Sequence, residues 1–343
     1  MIINIQLLRG LAALAVAFYH AGYVIPGTIY TDFLGVPVFF AISGFIMTHI
    51  TRASSDEFLL HRLIRIVPLY WLATAFYAAL VVVIYPLIGK QSDNIVTIAS
   101  LLSDLFFIPR LDGSGAVIYP VLSVGWTLNL EMYFYLLFAG ALHINRRAAP
   151  AIVAVAVFVV WLCGLYFHLP SPLGFYAHNY VVYFPLGIAT YYATQLLTQQ
   201  AKTQQAKTGM LAAFVGAAAL IGFATTGRQS MGLAAPPLIV LGAVLLESSG
   251  LVCRNRLAMA LGASSYALYL CHPFLIGLFR EAAKRAGDFD MRVHLWAALL
   301  AVALSAGAAW LIFRWVEAPL LAYLRASILQ RPKARSPAPA PAE

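Results

Sequence analysis

Arg9 and His20 stand at the two ends of an apolar run, LLRGLAALAVAFYH, at residues 7–20. In a helix, a separation of 11 residues places them ~20° apart around the axis and ~16 Å apart along it. A guanidinium binds anions and a neutral imidazole accepts a proton, so the pair is suited to anion binding at one depth and proton transfer at another. The structural alternative makes Arg9 a snorkelling anchor and His20 a buried histidine with satisfied hydrogen bonds.

Glu131 is the acidic residue of a second apolar run, SVGWTLNLEMYFYLLF, at residues 123–138. A charged side chain at the centre of a membrane helix costs about 2.5–3.5 kcal/mol on insertion scales, which makes a buried carboxylate a functional candidate. Glu131 could orient His20, stabilise its charged form or take a proton itself. The structural alternative is a carboxylate paired with a basic residue or a hydroxyl for bundle assembly.

Arg62 and Arg65 precede a third run in HRLIRIVPLYW, residues 61–71. Residues three apart share a helix face, and paired guanidinium groups suit a phosphate-bearing ligand. Anchoring to the membrane surface or binding of anionic lipid explains the same pair equally well.

Two further ionisable residues lie in or beside apolar runs and rank below His20. His272 precedes Pro273, which is expected to kink its helix and free backbone groups. Glu317 lies three residues after Arg314, and a local ion pair is its simplest interpretation.

The elements that position these residues follow from composition. Of the 343 residues, 62% are hydrophobic and 10% are charged, whereas soluble domains carry roughly 25% charged residues. We therefore predict an all-α polytopic membrane protein. The three cysteines show no paired spacing, and the net charge of +9 is scattered between apolar runs, which argues against a disulfide framework, a thiolate metal site and nucleic-acid binding. Motifs typical of metalloproteases, serine hydrolases and nucleotide-driven pumps are missing from the sequence.

About 20 apolar residues cross the hydrocarbon layer, and this criterion predicts a bundle of about ten transmembrane helices. They are expected near residues 5–25, 31–50, 67–87, 122–142, 150–168, 177–197, 209–226, 232–249, 258–279 and 293–315.

The positive-inside rule then favours both termini in the cytoplasm, although basic residues at 280–292 argue weakly against this. The segment 97–109 reads either as an interfacial amphipathic helix or as a span that would invert the later topology. The Pro/Ala-rich residues 326–343 are predicted to form a disordered cytoplasmic tail after a membrane domain at 1–325.

Several short strings occur in a fixed order and spacing along the chain: Arg9 with His20, FFAISGFIM (39–47), Arg62 with Arg65 before PLYW, WTLNLEMYFY (126–135), SYALYLCHPF (265–274) and EAP (317–319). Together they resemble the acyltransferase-3 family of integral membrane acyltransferases, and most closely its exopolysaccharide O-acetyltransferases of the succinoglycan-modifying type. The resemblance covers about residues 1–325. The family often has Gly-Val-Asp where this chain has Gly35-Val36-Pro37, so no aspartate role is carried over there.

The resemblance implies that His20 is the catalytic histidine, that Arg9 is essential with it, and that Arg62 and Arg65 contribute to binding of acyl-CoA from the cytoplasm. Acetyl-CoA is the expected donor, and succinyl or another short acyl group is the alternative. The expected acceptor is a hydroxyl of an exopolysaccharide or of its lipid-linked precursor, in the bacterial cytoplasmic membrane, with polysaccharide-assembly machinery as a further partner.

The role of His20 stays open between a general base, with Glu131 stabilising the imidazolium, and a nucleophile that carries the acyl group. A transporter or flippase using Arg9, His20 and Glu131 as a proton or anion pathway is the main alternative, and a non-catalytic assembly subunit is the other.

Overall fold

The computed structural model describes residues 2–22, 35–53, 57–87, 96–111, 117–167, 169–170, 172–285 and 294–329. Twelve helices of eight residues or more lie within these ranges, together with one antiparallel pair of two-residue strands. The helices are α1 (Ile3–Ala21), α2 (Gly35–Ala53), α3 (Phe58–Leu87), α4 (Ile98–Leu105), α5 (Gly125–Ile144), α6 (Ala149–Tyr166), α7 (Tyr183–Leu197), α8 (Lys202–Thr226), α9 (Gln229–Ser248), α10 (Arg256–Ala263), α11 (Ser265–Arg285) and α12 (Leu295–Leu329).

The all-α membrane fold is confirmed, but the count of ten spans is not. Seven of the helices are long and apolar enough to cross a membrane, and an eighth span results if α10 and α11, which meet at an angle of 74°, count as one. Each predicted span corresponds to a helix. However, α7 has only 15 residues, and α5 carries Asn129 and Glu131 in its first half, so neither passes as a span by length and composition.

Helix α1 has a central position in the bundle, because it packs against five other helices: α2, α9, α10, α11 and α12. Small residues permit the closest of these approaches: a Cβ atom at Gly10 would lie 3.0 Å from the backbone nitrogen of Gly262 in α10. The first turn is fixed from α9, where the Glu247 carboxylate accepts hydrogen bonds from the backbone N–H groups of Ile3 (2.9 Å) and Asn4 (2.6 Å). The central position of α1 directs both Arg9 and His20 towards other helices.

The segment around 97–109 forms a helix of only eight residues, α4, and this length excludes a helical span. The Asp104 carboxylate at its end accepts hydrogen bonds from the Val121 N–H (2.6 Å) and the Arg110 guanidinium (3.2 Å). Burial raises the pKa of Asp104 above its ordinary value, while these two donors act in the opposite direction. Arg110 also belongs to the hairpin of β1 (Arg110–Leu111) and β2 (Val117–Ile118).

Two predictions about the second half of the chain need correction. Helix α11 continues through Pro273, and the sharp bend predicted there lies instead at Ser264, between α10 and α11. The last helix continues to Leu329, beyond the predicted domain boundary at 325, and the rest of the predicted tail, residues 330–343, lies outside the described residues.

Candidate functional site

A cavity of about 540 Å³ lies within the helix bundle, between α1, α2, α3, α5 and α11. Four of the five residues that the sequence nominated line it: Arg9, Arg62, Arg65 and Glu131. Its lining along α2 runs from Val36 to Ile50, which corresponds to ~21 Å at 1.5 Å per residue. The volume lies within the range of roughly 300–1,000 Å³ that is usual for small-molecule sites.

The two arginines of α3 have different surroundings. Arg65 Nη1 lies 3.1 Å from Glu317 Oε1, and the Glu317 side chain is only 1% exposed. Glu317 therefore pairs with Arg65 across the bundle, and not with Arg314 as its sequence position suggested. Arg62 Nε is buried and has no hydrogen-bond partner among the described residues. Arg62 therefore has a buried donor available for a ligand, whereas one nitrogen of Arg65 is engaged in the ion pair with Glu317.

Glu131 belongs to the arginine-lined cavity and not to the surroundings of His20. Ser43 Oγ donates a hydrogen bond to Glu131 Oε1 at 2.9 Å, and the hydroxyl of Tyr135, one turn further along α5, donates to the same oxygen. No hydrogen bond joins Glu131 and His20 in the part of the chain that the structure describes. Glu131 also acts electrostatically on Arg9, which places its charge among the arginines.

His20 lies outside the cavity lining and contacts a second histidine. The rings of His20 and His272 pack edge to face, with centroids 4.9 Å apart, and His272 is fully buried. His272 Nδ1 lies 3.0 Å from the carbonyl oxygen of Leu268, which can only accept a hydrogen bond. In the neutral ring, Nδ1 therefore carries the proton and Nε2 is left as an acceptor. His272 Nε2 and His20 Nδ1 are both buried without a hydrogen-bond partner among the described residues.

Tyr269 connects the cavity with the two histidines. Its side chain lines the cavity, and its ring centroid lies 6.1 Å from that of His272, which follows it by three residues on α11. Tyr269 is held in place by the Thr127 hydroxyl, 2.5 Å from its own hydroxyl, and by the carbonyl of Val124 at 3.1 Å. The end of the cavity that Tyr269 lines therefore lies next to the histidine pair.

Sequence reasoning missed part of this arrangement. It ranked His272 below His20. It did not nominate four residues that line the cavity: Ser43, Tyr135, Tyr269 and Arg325. The string SYALYLCHPF contained the signal for two of these residues, since Tyr269 and His272 are three apart and share a helix face. Their neighbours from α1 and α5 depend on tertiary packing.

Comparisons with known proteins show which family the chain resembles. The model of the acyltransferase-3 family, described as an acyltransferase domain, matches residues 2–314. The exopolysaccharide production protein ExoZ of Rhizobium meliloti (strain 1021) is 34% identical over 298 residues, which cover 84% of this chain and 89% of that protein. Nodulation protein 10 of Rhizobium leguminosarum bv. viciae is 30% identical over 48% of this chain and 52% of its own length.

A putative acetyltransferase, ORF330, of Acidianus two-tailed virus is 33% identical over 39% of this chain and 38% of its own length. No solved structure matches the chain. The match to the family model covers most of the sequence and includes Arg9, Arg62, Arg65 and Glu131 of the cavity and both histidines, whereas Arg325 lies beyond it. The chain is a member of the acyltransferase-3 family of membrane acyltransferases.

Proposed function

We propose that this protein transfers an acetyl group from acetyl-CoA, bound from the cytoplasm, to a hydroxyl of an exopolysaccharide or of its lipid-linked precursor. One observation carries the proposal: an arginine-lined cavity ends, at Tyr269, beside the contact between His20 and His272. A polyanionic donor can therefore bind at one end while its thioester approaches a histidine at the other.

The donor end is formed by arginines from three helices. Arg9, Arg62, Arg65 and Arg325 line the cavity, and the uncommitted Nε of Arg62 is a donor suited to a phosphate oxygen. The extent of ~21 Å along α2 is appropriate for an extended pantetheine arm leading from the phosphates to the thioester. Glu131, which lines the same cavity, limits the mutual repulsion of the arginines in this proposal.

At the Tyr269 end of the cavity, acyl transfer requires a side chain that accepts one proton and later donates it. As a general base, His20 takes the proton from the acceptor hydroxyl while the hydroxyl oxygen bonds to the carbonyl carbon; the carbon–sulfur bond breaks, and His20 returns the proton to the CoA thiolate. As a nucleophile, His20 first forms an acyl-imidazole with release of CoA, and the acceptor hydroxyl then takes the acyl group. In both versions His272 is a positioning residue, because its Nε2 is a buried acceptor beside the His20 ring.

The names of the relatives support the acceptor and the acyl group. One relative is named for exopolysaccharide production and another as a putative acetyltransferase. The cytoplasmic membrane is the location at which cytoplasmic acyl-CoA and an exported glycan are both accessible. Both termini in the cytoplasm, and association with polysaccharide-assembly machinery, are part of the same proposal.

The deciding experiment measures the O-acyl content of the exported glycan by NMR. A deletion strain is complemented with the wild-type gene or with His20→Ala, and export is quantified in parallel. We expect normal export with acylation restored only by the wild type. Unchanged acylation together with lost export would instead identify a transporter or flippase.

Arg62→Ala is expected to weaken binding of CoA by about 10- to 100-fold, because charge-assisted hydrogen bonds contribute about 1.5–3 kcal/mol and each 1.4 kcal/mol is tenfold in affinity. The measurement is calorimetric titration of CoA into the full chain in lipid nanodiscs. Arg147→Ala is the matched control, since Arg147 is exposed at the turn between α5 and α6. Equal affinities for wild type and Arg62→Ala would remove Arg62 from the donor site.

A further inference from the structure

A second cavity, of about 230 Å³, lies in the bundle beyond the histidine pair. Its lining combines aromatic side chains, Tyr77, Tyr85 and Phe274, with the hydroxyl of Ser123 and the carboxylate of Glu281. The volume is below the roughly 300–1,000 Å³ of drug-sized sites, so the cavity fits a single ring and not a CoA molecule.

The two cavities occupy opposite ends of the same elements. Along α3, the arginine-lined cavity contacts residues 61–66 and the second cavity contacts residues 77–85. Along the α5 segment, the second cavity contacts Leu122 and Ser123, while the arginine-lined cavity begins at Thr127. One end of each element therefore lines the arginine-lined cavity, and the other end lines the second cavity.

Helix α11 shows what lies between the cavities. The arginine-lined cavity ends at Tyr269 and the second begins at Pro273, a separation of ~6 Å along the helix axis. His272, in ring contact with His20, occupies this interval. Along α11, the two cavities therefore lie on either side of His272, which contacts His20.

We propose that the second cavity binds the sugar ring of the acceptor and presents its hydroxyl to His20. This inference rests on the proposed acyltransferase function and assigns the acceptor side of the same site. A pyranose ring has apolar C–H faces, which pack on aromatic rings, and a rim of hydroxyls, which donate to carboxylates. Phe274, in contact with the rings of Phe76 and Tyr77, supplies the first kind of surface, and Glu281 and Ser123 supply the second.

A larger side chain at Gly277 is expected to block the second cavity. Gly277 lines the cavity, and a Cβ atom built there meets nothing within 4 Å, so a larger side chain enters open space. Leucine also has a higher helix propensity than glycine, which favours folding of the variant. Gly307, in α12, has the same open space and lies outside both cavity linings, so Gly307→Leu is a matched control.

The test uses the full chain in lipid nanodiscs, radiolabelled acetyl-CoA, and as acceptor the host exopolysaccharide stripped of its O-acyl groups by mild base. For Gly277→Leu we expect the KM for the glycan to rise at least tenfold with affinity for CoA unchanged, while Gly307→Leu behaves as wild type. Glu281→Gln is expected to raise the same KM severalfold, with the exposed Glu57→Gln as its control.

The outcomes separate the two proposals. Transfer by wild type with the same glycan KM in Gly277→Leu and Glu281→Gln overturns the acceptor site and leaves the acyltransferase function standing. A loss of CoA affinity in Gly277→Leu with the glycan KM unchanged assigns the cavity to the donor, which also overturns the inference. If wild type transfers no label to the glycan or to its lipid-linked precursor under any condition, the proposed function fails and the acceptor site fails with it.

Discussion

His20→Ala is expected to lower the rate of acyl transfer by about 10²- to 10⁴-fold, the usual contribution of a general acid or base. The expectation follows from position: His20 contacts His272, which lies between the two cavities along α11, and the proposal assigns these cavities to the donor and the acceptor. Its Nδ1 is buried without a hydrogen-bond partner among the described residues, so it is not committed to a structural bond. Affinity for CoA is expected to be unchanged, because the phosphate end is bound by arginines.

His143→Ala is the matched control for the loss of an imidazole. His143 is exposed near the end of α5, away from both cavity linings, and this variant is expected to keep wild-type activity. Equal transfer rates in His20→Ala and His143→Ala would exclude His20 from the chemistry.

The same variant distinguishes a proton-transfer role from an acyl-carrying one. Purified wild type is incubated with radiolabelled acetyl-CoA without acceptor, quenched, and counted for label retained on the protein. Label that is retained on wild type, absent from His20→Ala and released by added glycan indicates an acyl-imidazole. Transfer to the glycan without retained label under turnover conditions indicates direct attack, with His20 as base.

Arg65→Ala is expected to destabilise the protein by about 3 kcal/mol, the lower end of the range for breaking a buried ion pair. The reason is that Glu317, 1% exposed, is left as a buried carboxylate without its cation, whereas Arg65 itself keeps 23% exposure. The change is measured as a lowered Tm in detergent at neutral pH. CoA binding is expected to weaken as well, because Arg65 lines the cavity.

The double variant Arg65→Ala with Glu317→Gln separates these two effects. Removing the carboxylate charge eliminates most of the cost of the unpaired ion, so we expect the Tm to recover for the most part while CoA affinity stays low. Arg62→Ala alone is expected to leave the Tm near wild type, since no ion pair is lost. If Arg65→Ala leaves the Tm unchanged, or the double variant recovers none of the loss, the ion pair has no structural role.

The span count illustrates the limits of composition as a guide. Apolar runs identified every segment that became a long helix, because hydropathy and helical periodicity are local properties of a sequence. The same property could not determine which helices are full spans: α7 is shortened by a preceding 3₁₀ turn at Asn179–Val182, and the bend at Ser264 divides α10 from α11.

The sequence by itself determined the class of protein, the residues with chemistry unusual for a membrane helix, and the family resemblance. Arg9, Arg62, Arg65 and Glu131, which the sequence nominated separately, line one cavity. Only the tertiary structure decided that Glu317 pairs with Arg65, that His272 contacts His20, and that Ser43 donates a hydrogen bond to Glu131. These pairs join residues that are 88 to 252 positions apart in the chain, and contacts at such separations depend on how whole helices pack, which no local spacing encodes.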